Sequence, residues 1–145
     1  MSLTAASLTT ALAALSVTGV TSKLTYFPLS LNNASLPVMW PGVPRIEAFE
    51  SVMDHNGLDV TVSCDLTIAV KPLLQGEKSG GYAANMTIMD ALESAIVTWY
   101  EGPAAETLKA EWSIQAGVVT IGETSPGVPA MYHSVTASIK VTELQ

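Results

Sequence analysis

The chain of 145 residues holds one cysteine, Cys64, so no intrachain disulfide can form. Charge is also scarce. Asp, Glu, Lys and Arg make up 13% of the residues, where about 25% is usual for a globular domain. Only six are Lys or Arg, against 13 Asp or Glu, for a net charge of −7. No basic run exists, which excludes a tight grip on a phosphate backbone. No apolar stretch approaches the roughly 20 residues that a membrane span needs. The opening MSLTAASLTTALAALSVTG lacks the basic leader of a signal peptide, and Ser and Thr break its apolar run. The lone thiol points to a reducing compartment. The glycosylation sequons at Asn33 and Asn85 then carry no meaning.

Catalytic constellations are missing too. His55 falls in a turn beside Asp54, and adjacent residues seldom chelate one ion together. His133 and Ser134 are neighbours in a strand and point to opposite faces, so they cannot work as base and nucleophile. Cys64 has the phase of a buried, inert thiol. Asp59 and Asp65 lie about 20 Å apart along a strand, too far for an acid/base pair. No glycine-rich phosphate loop with its lysine is present. The reading is of a protein that is not an enzyme and uses no cofactor and no metal.

What is present is apolar material, 48% of the chain. A single domain of this length buries about 68–70% of its unfolded surface. With so few charges to cover the remainder, part of the apolar surface is expected to lie in subunit contacts.

The clearest pattern is Leu58–Lys71, LDVTVSCDLTIAVK. Val60, Val62, Cys64, Leu66, Ile68 and Val70 share one phase; Asp59, Thr61, Ser63, Asp65, Thr67 and Lys71 share the other. This predicts a long strand with one dry and one wet face. Residues 3–15 place Leu8, Leu12 and Leu15 on one side of a short helix, with Ser2 or Thr4 as cap and Gly19 just beyond it. Residues 23–31 read as an edge-like strand broken by Pro28. Residues 36–44, LPVMWPGVP, are too rich in proline for a helix and too apolar for an ordinary polar loop, and predict an extended arm or loop carrying Val38, Met39 and Trp40 as anchors, packed on its own domain or on another subunit.

Residues 45–53 fit both alternation and a helical period. Their place between that arm and the Asp54-His55-Asn56-Gly57 turn favours a strand hairpinned to 58–71. The glycine-broken segment 72–84 predicts a loop with Leu73 and Leu74 at its base, Glu77 and Lys78 exposed, and Tyr82 at its exit. Residues 82–100 carry Ile88, Met89, Leu92, Ala95, Ile96, Trp99 and Tyr100 on one helical arc, and Gly102-Pro103 ends the helix. Three strands follow: 107–115, a turn at Ala116-Gly117, 118–123, a turn at 124–127, then 128–144. The sum is a single α+β domain over 1–145, a mainly antiparallel sheet with helices packed on one face.

This order of elements resembles the tail terminator proteins of long-tailed bacteriophages, also called tail-to-head joining or minor tail proteins. A Ser/Thr/Ala-rich amphipathic start precedes the strand 58–71, the glycine-broken loop and the helix 82–100. Then come Trp112-Ser-Ile-Gln-Ala-Gly-Val-Val and the terminal strand Tyr132-His-Ser-Val-Thr-Ala-Ser-Ile-Lys-Val-Thr-Glu. Residues 45–145 carry the likeness, through element order rather than an invariant motif; residues 24–44 have no place in it. The resemblance implies a structural virion protein at the tail–neck junction, assembled in the host cytoplasm. Such proteins form a hexameric ring that caps the tail tube, ends its polymerisation and meets the head connector protein. DNA passes through the lumen without specific binding.

On this reading the partners are other copies of the chain, the tail tube protein and the connector, with no membrane. Phe27, Met39, Trp40, Leu73, Leu74, Lys78 and Tyr82 are the expected subunit or partner contacts. Asp59 and Asp65, on the wet face of the long strand, are the expected acids of a lumen wall that repels phosphate. The residues alone also leave open another phage neck or tail part (a tube or completion protein), a cellular α+β ligand-binding module, and a small hydrolase.

Overall fold

The computed structural model describes residues 4–50, 58–73, 80–102 and 108–143. In chain order the elements are α1 (Ala5–Ala13), β1 (Ser22–Lys23), β2 (Val38–Pro41), β3 (Arg45–Glu50), β4 (Leu58–Pro72), α2 (Gly80–Glu101), β5 (Leu108–Ser125) and β6 (Val128–Glu143). The fold is α+β. Six strands form one sheet in the order β1-β2-β4-β6-β5, and β3 joins β4 further along the edge that β2 occupies. β1 runs parallel to β2; every other pairing is antiparallel.

β4 is the centre because its alternation is nearly strict. Val62, Cys64, Leu66, Ile68 and Val70 join Val135, Ala137, Ile139 and Val141 of β6 in one buried cluster. Both helices close that face. Leu8 and Leu12 come from α1, and Ile88, Leu92, Ile96 and Trp99 come from α2. Burying each such side chain contributes roughly 1.5–3 kcal/mol before entropy is counted. Thr4 caps α1 by accepting a hydrogen bond from the Ser7 N–H at 2.9 Å, and the Ser7 hydroxyl accepts one from the Thr4 N–H at 2.8 Å. This reciprocal arrangement satisfies donors that the helix start leaves without partners.

The opposite face is polar over most of its area but carries a second, smaller core at one end. Val38, Trp40, Ala69, Ile121, Ala130 and Tyr132 are buried there, with Leu24, Leu31 and Leu36 packed against them. The segment before β2 thus lies across the sheet as a cover. It touches the β5–β6 hairpin closely: a Cβ on Gly122 would meet the Leu29 carbonyl oxygen at 2.9 Å.

Two expectations are corrected, the strand at 23–31 and the turn at Ala116-Gly117. Residues 36–44 pack onto their own domain, as one strand of the sheet rather than an arm or loop: β2 lies within them and is buried at all four positions. Met39 faces the helix-side core while Val38 and Trp40 face the second core, and a strand buried on both faces shows no alternation. Its proline is tolerated because Pro41 ends the strand, beyond the point where β1 has stopped. Strand structure in 23–31 is limited to Lys23; beyond it the chain leaves the ladder and becomes the cover. The turn at Ala116-Gly117 does not exist. β5 continues through it, with Gly117 opposite Ser134, so the expected three-strand meander is one long hairpin. The irregularity lies further on, where the register shifts between Thr120 and Ser125 and Gly122 takes a φ of +69°. The antiparallel pairing of β3 with β4 is as expected, the turn at 54–57 lies outside the described residues, and α2 begins and ends slightly outside residues 82–100.

Candidate assembly surfaces

One end of the helix side gathers exposed apolar side chains. The Leu73 N–H donates to the Met131 carbonyl at 2.9 Å. Tyr82, in the first turn of α2, sets its ring 6.3 Å from that of His133. His133 is opposite Val118, and Met131 is opposite Thr120. Met86 is one helical turn beyond Tyr82. Leu73, Tyr82, Met86, Val118 and Met131 are all exposed, Tyr82 to 66% and Met86 to 59%. His133, beneath Tyr82, is itself buried.

A second exposed apolar group belongs to the cover on the opposite face. Tyr26, Phe27 and Leu29 project from it, Leu29 to 89%. Phe27 forms a T-shaped ring pair with the buried Trp40, with centroids 6.0 Å apart. A third lies at the β3 edge, where Val43 and Ile46 are exposed to 91% and 58%.

The polar face of the sheet carries ordered cross-strand rows. Arg45, Ser63, Lys140 and Glu111 form one row across β3, β4, β6 and β5. Glu47, Thr61, Thr142 and Lys109 form the next. Thr61 and Thr142 share a hydrogen bond at 3.0 Å, and Arg45 pairs with Glu47 at 2.8 Å. A shallow depression of about 420 Å³ lies among Glu47, Ser63, Asp65, Glu111, Ser138 and Lys140. Between the helices on the other side, an open groove of about 770 Å³ is lined chiefly by small residues such as Ala11, Ala14, Ala91 and Ala95.

The expected contact residues divide clearly. Leu73 and Tyr82 are exposed and are brought to one patch, and Phe27 is exposed in another. Met39 and Trp40 are corrected: at 0% and 2% exposure they are committed to the subunit's own cores and cannot also anchor a neighbour. Leu74 and Lys78 lie outside the described residues. Asp65 is exposed on the polar face, while the side chain of Asp59 lies outside what is described. The expectation of an acidic wall on this face is corrected as well. Among the described side chains there, Glu47, Asp65 and Glu111 are balanced by Arg45, Lys109 and Lys140. The acids Asp90, Glu93 and Glu101 belong instead to α2, which has no Lys or Arg.

Sequence reasoning missed Met86, Val118, Met131 and Ile46 as surface groups. Met131 has the same phase as the core residues of β6, and phase reports the face of a sheet but not whether a helix reaches over it. Cys64 is 2% exposed. Its thiol is pushed upward in pKa by burial, against the opposing effects of contacts with Thr9 and the Gly42 carbonyl. Asn85, the residue of the second sequon, is 3% exposed within α2. Among the described residues no three His, Cys, Asp or Glu side chains gather to hold a metal, and no helix is long and apolar enough to cross a membrane.

No family model matches the chain, and no curated protein matches it.

Proposed function

We propose that this chain is a phage tail terminator subunit, which assembles into a hexameric ring, caps the tail tube and presents a face to the head connector. The observation that carries this reading is the distribution of exposed apolar groups. They sit in separate patches on different parts of one small subunit: Tyr82, Met86 and Met131 at one end of the helix side, Phe27 and Leu29 on the opposite face, and Ile46 at a sheet edge. Exposed apolar groups that gather into patches are the usual mark of contact surfaces. A ring subunit needs two different patches for its two neighbours and further ones for what lies above and below.

The element order supports the same reading, with the long alternating strand, the helix and the terminal hairpin in the sequence that the resemblance requires. The mixed charge of the polar sheet face suits a wall along which DNA slides, since it offers no excess of cations to hold phosphates. The tail tube protein and the connector are the proposed partners, and the tail–neck junction of the virion is the proposed location.

The experiment is a complementation assay in a phage lacking its own copy of this gene. Purified chain added to unfinished tails is expected to yield tails of uniform length that join heads. Overlong tails that persist in its presence would contradict the reading.

A further inference from the structure

The sheet has two unlike free edges. Among the described residues, β3 pairs only with β4 and β5 pairs only with β6. Their backbone polarity follows from one hydrogen bond. The Gly42 N–H donates to the Asp65 carbonyl at 2.6 Å, which makes Asp65 a residue whose backbone groups point toward the β2–β3 side. Alternation along β4 gives Ser63 and Thr61 the same direction. Arg45 and Glu47, opposite them, therefore point inward, and Ile46 and Ala48 present their N–H and C=O to the open edge. On β4 the intervening residues, Val62 and Cys64, point toward β6. Carrying the alternation across β6 turns Lys109 and Glu111 inward and leaves Leu108, Ala110 and Trp112 facing the other open edge.

We infer that β3 of one copy pairs antiparallel with β5 of the next, in the register that sets Arg45 opposite Glu111 and Glu47 opposite Lys109. The inference deepens the ring reading and rests on it for the identity of the occupant. Four observations agree. The two strands are already antiparallel within the subunit, so a rotation about an axis along the strands brings them together in the orientation a ladder needs. The register places Ile46 opposite Ala110, and both offer outward-facing backbone groups. Arg45, Glu47, Lys109 and Glu111 all belong to the same sheet face. Finally, the charges single out this register among its neighbours. A shift of two residues is the smallest that preserves both faces and hydrogen bonds. In one direction it sets Arg45 against Lys109, and in the other it sets Glu47 against Glu111. Like charges directly opposite destabilise a pair, while opposite charges support it. The exposed Ile46 is covered in the same step.

The two strands cannot meet within one chain, because β4 and β6 stand between them, three strand spacings or about 14 Å. This makes a disulfide test decisive. Arg45 and Glu111 would form a narrow pair, with Cα atoms about 4.5 Å apart, inside the range a disulfide tolerates. The variant Arg45→Cys/Glu111→Cys, oxidised mildly at native conditions, is expected to give a covalent ladder on a non-reducing gel. Arg45→Cys/Ser113→Cys, displaced by one register step, is expected to give at least tenfold less. In parallel, Glu47→Lys is expected to weaken assembly at least tenfold with unchanged circular dichroism, and adding Lys109→Glu to restore it. If the wild type is a closed ring by light scattering but the matched cysteines fail to cross-link above the displaced control, the edge pairing is overturned and the ring stands. If they cross-link selectively while the wild type is monomeric, the pairing stands and the ring reading falls. If neither occurs, both fall.

Discussion

The rings of Phe27 and Trp40 meet in a T-shaped pair, with centroids 6.0 Å apart and the two planes at 79°. The exposed aromatic of the covering segment thus lids the aromatic that fills the second core. Trp40 is 2% exposed and Phe27 59%, so the two residues have opposite duties although they are close in space. Trp40→Ala is therefore expected to cost about 3–5 kcal/mol of stability, as a large cavity in a core does. Phe27→Ala should cost about 1 kcal/mol, near the worth of an aromatic pair. Urea unfolding followed by tryptophan fluorescence measures both. A fully stable Trp40→Ala protein would contradict the account of the second core.

Cys64 gives a prediction in pH. Burial raises its thiol above the ordinary value of 9.0. Above that value the unfolded chain loses the proton while the folded chain keeps it, so the unfolded state binds fewer protons. Stability must then fall as pH rises toward the folded pKa, and this group contributes no slope at lower pH. Cys64→Ala is expected to flatten the decline above pH 9.0 and to cost about 1–2 kcal/mol at neutral pH through lost packing. Native protein should also react slowly with a bulky thiol reagent. Rapid stoichiometric labelling of folded protein would refute the burial.

Asn85 occupies the apolar stripe of α2, one turn before Ile88, and its Oδ1 is buried with no hydrogen-bond partner among the described residues. Leaving such a group unpaired costs about 1–3 kcal/mol, and an apolar side chain of similar shape avoids the cost. Asn85→Leu is expected to raise stability by about 1 kcal/mol, read as a higher urea midpoint at unchanged slope. A lower midpoint would show that the amide has a role in that core.

The Leu73–Tyr82–Met131 patch should be separable from folding. Tyr82→Ser combined with Met131→Ser removes exposed apolar surface from two elements without opening a core. The double variant is expected to keep its thermal midpoint within a few degrees, because surface changes of this kind stay near 0.5 kcal/mol each. It is expected to lose joining in the tail-completion assay. Full joining by this variant would remove the patch from the contact surface.

Much of this architecture was legible, and the reasons differ between elements. β4 could be read because one of its faces is dry and the other wet, which writes a period of two into the sequence. α2 could be read because Ile88, Leu92, Ile96 and Trp99 repeat at helical spacing under one covering sheet. β2 could not be read as a strand, since Val38, Met39 and Trp40 are buried on both faces and leave no period. Ala116-Gly117 reads as a turn inside β5 because glycine commonly marks one. Opposite Ser134 it simply meets no steric demand, with a Cβ there finding nothing nearer than the Ser134 hydroxyl at 3.9 Å. Of the exposed apolar residues, Leu73 and Tyr82 were legible from their place at the borders of a glycine-rich segment. Met131 and Val118 were not, because their exposure depends on where α2 stops covering the sheet. The proposed pairing of Arg45 with Glu111 lies beyond any single-chain pattern, since it rests on which backbone groups each edge leaves open.

The proposed function requires a closed ring. Multi-angle light scattering on the purified wild type, followed across a hundredfold dilution, tests it most directly. The expected result is one species with the mass of six copies of the 15.2 kDa chain, persisting until dissociation to folded monomer at low concentration. A monodisperse monomer at the highest concentration reached would contradict it.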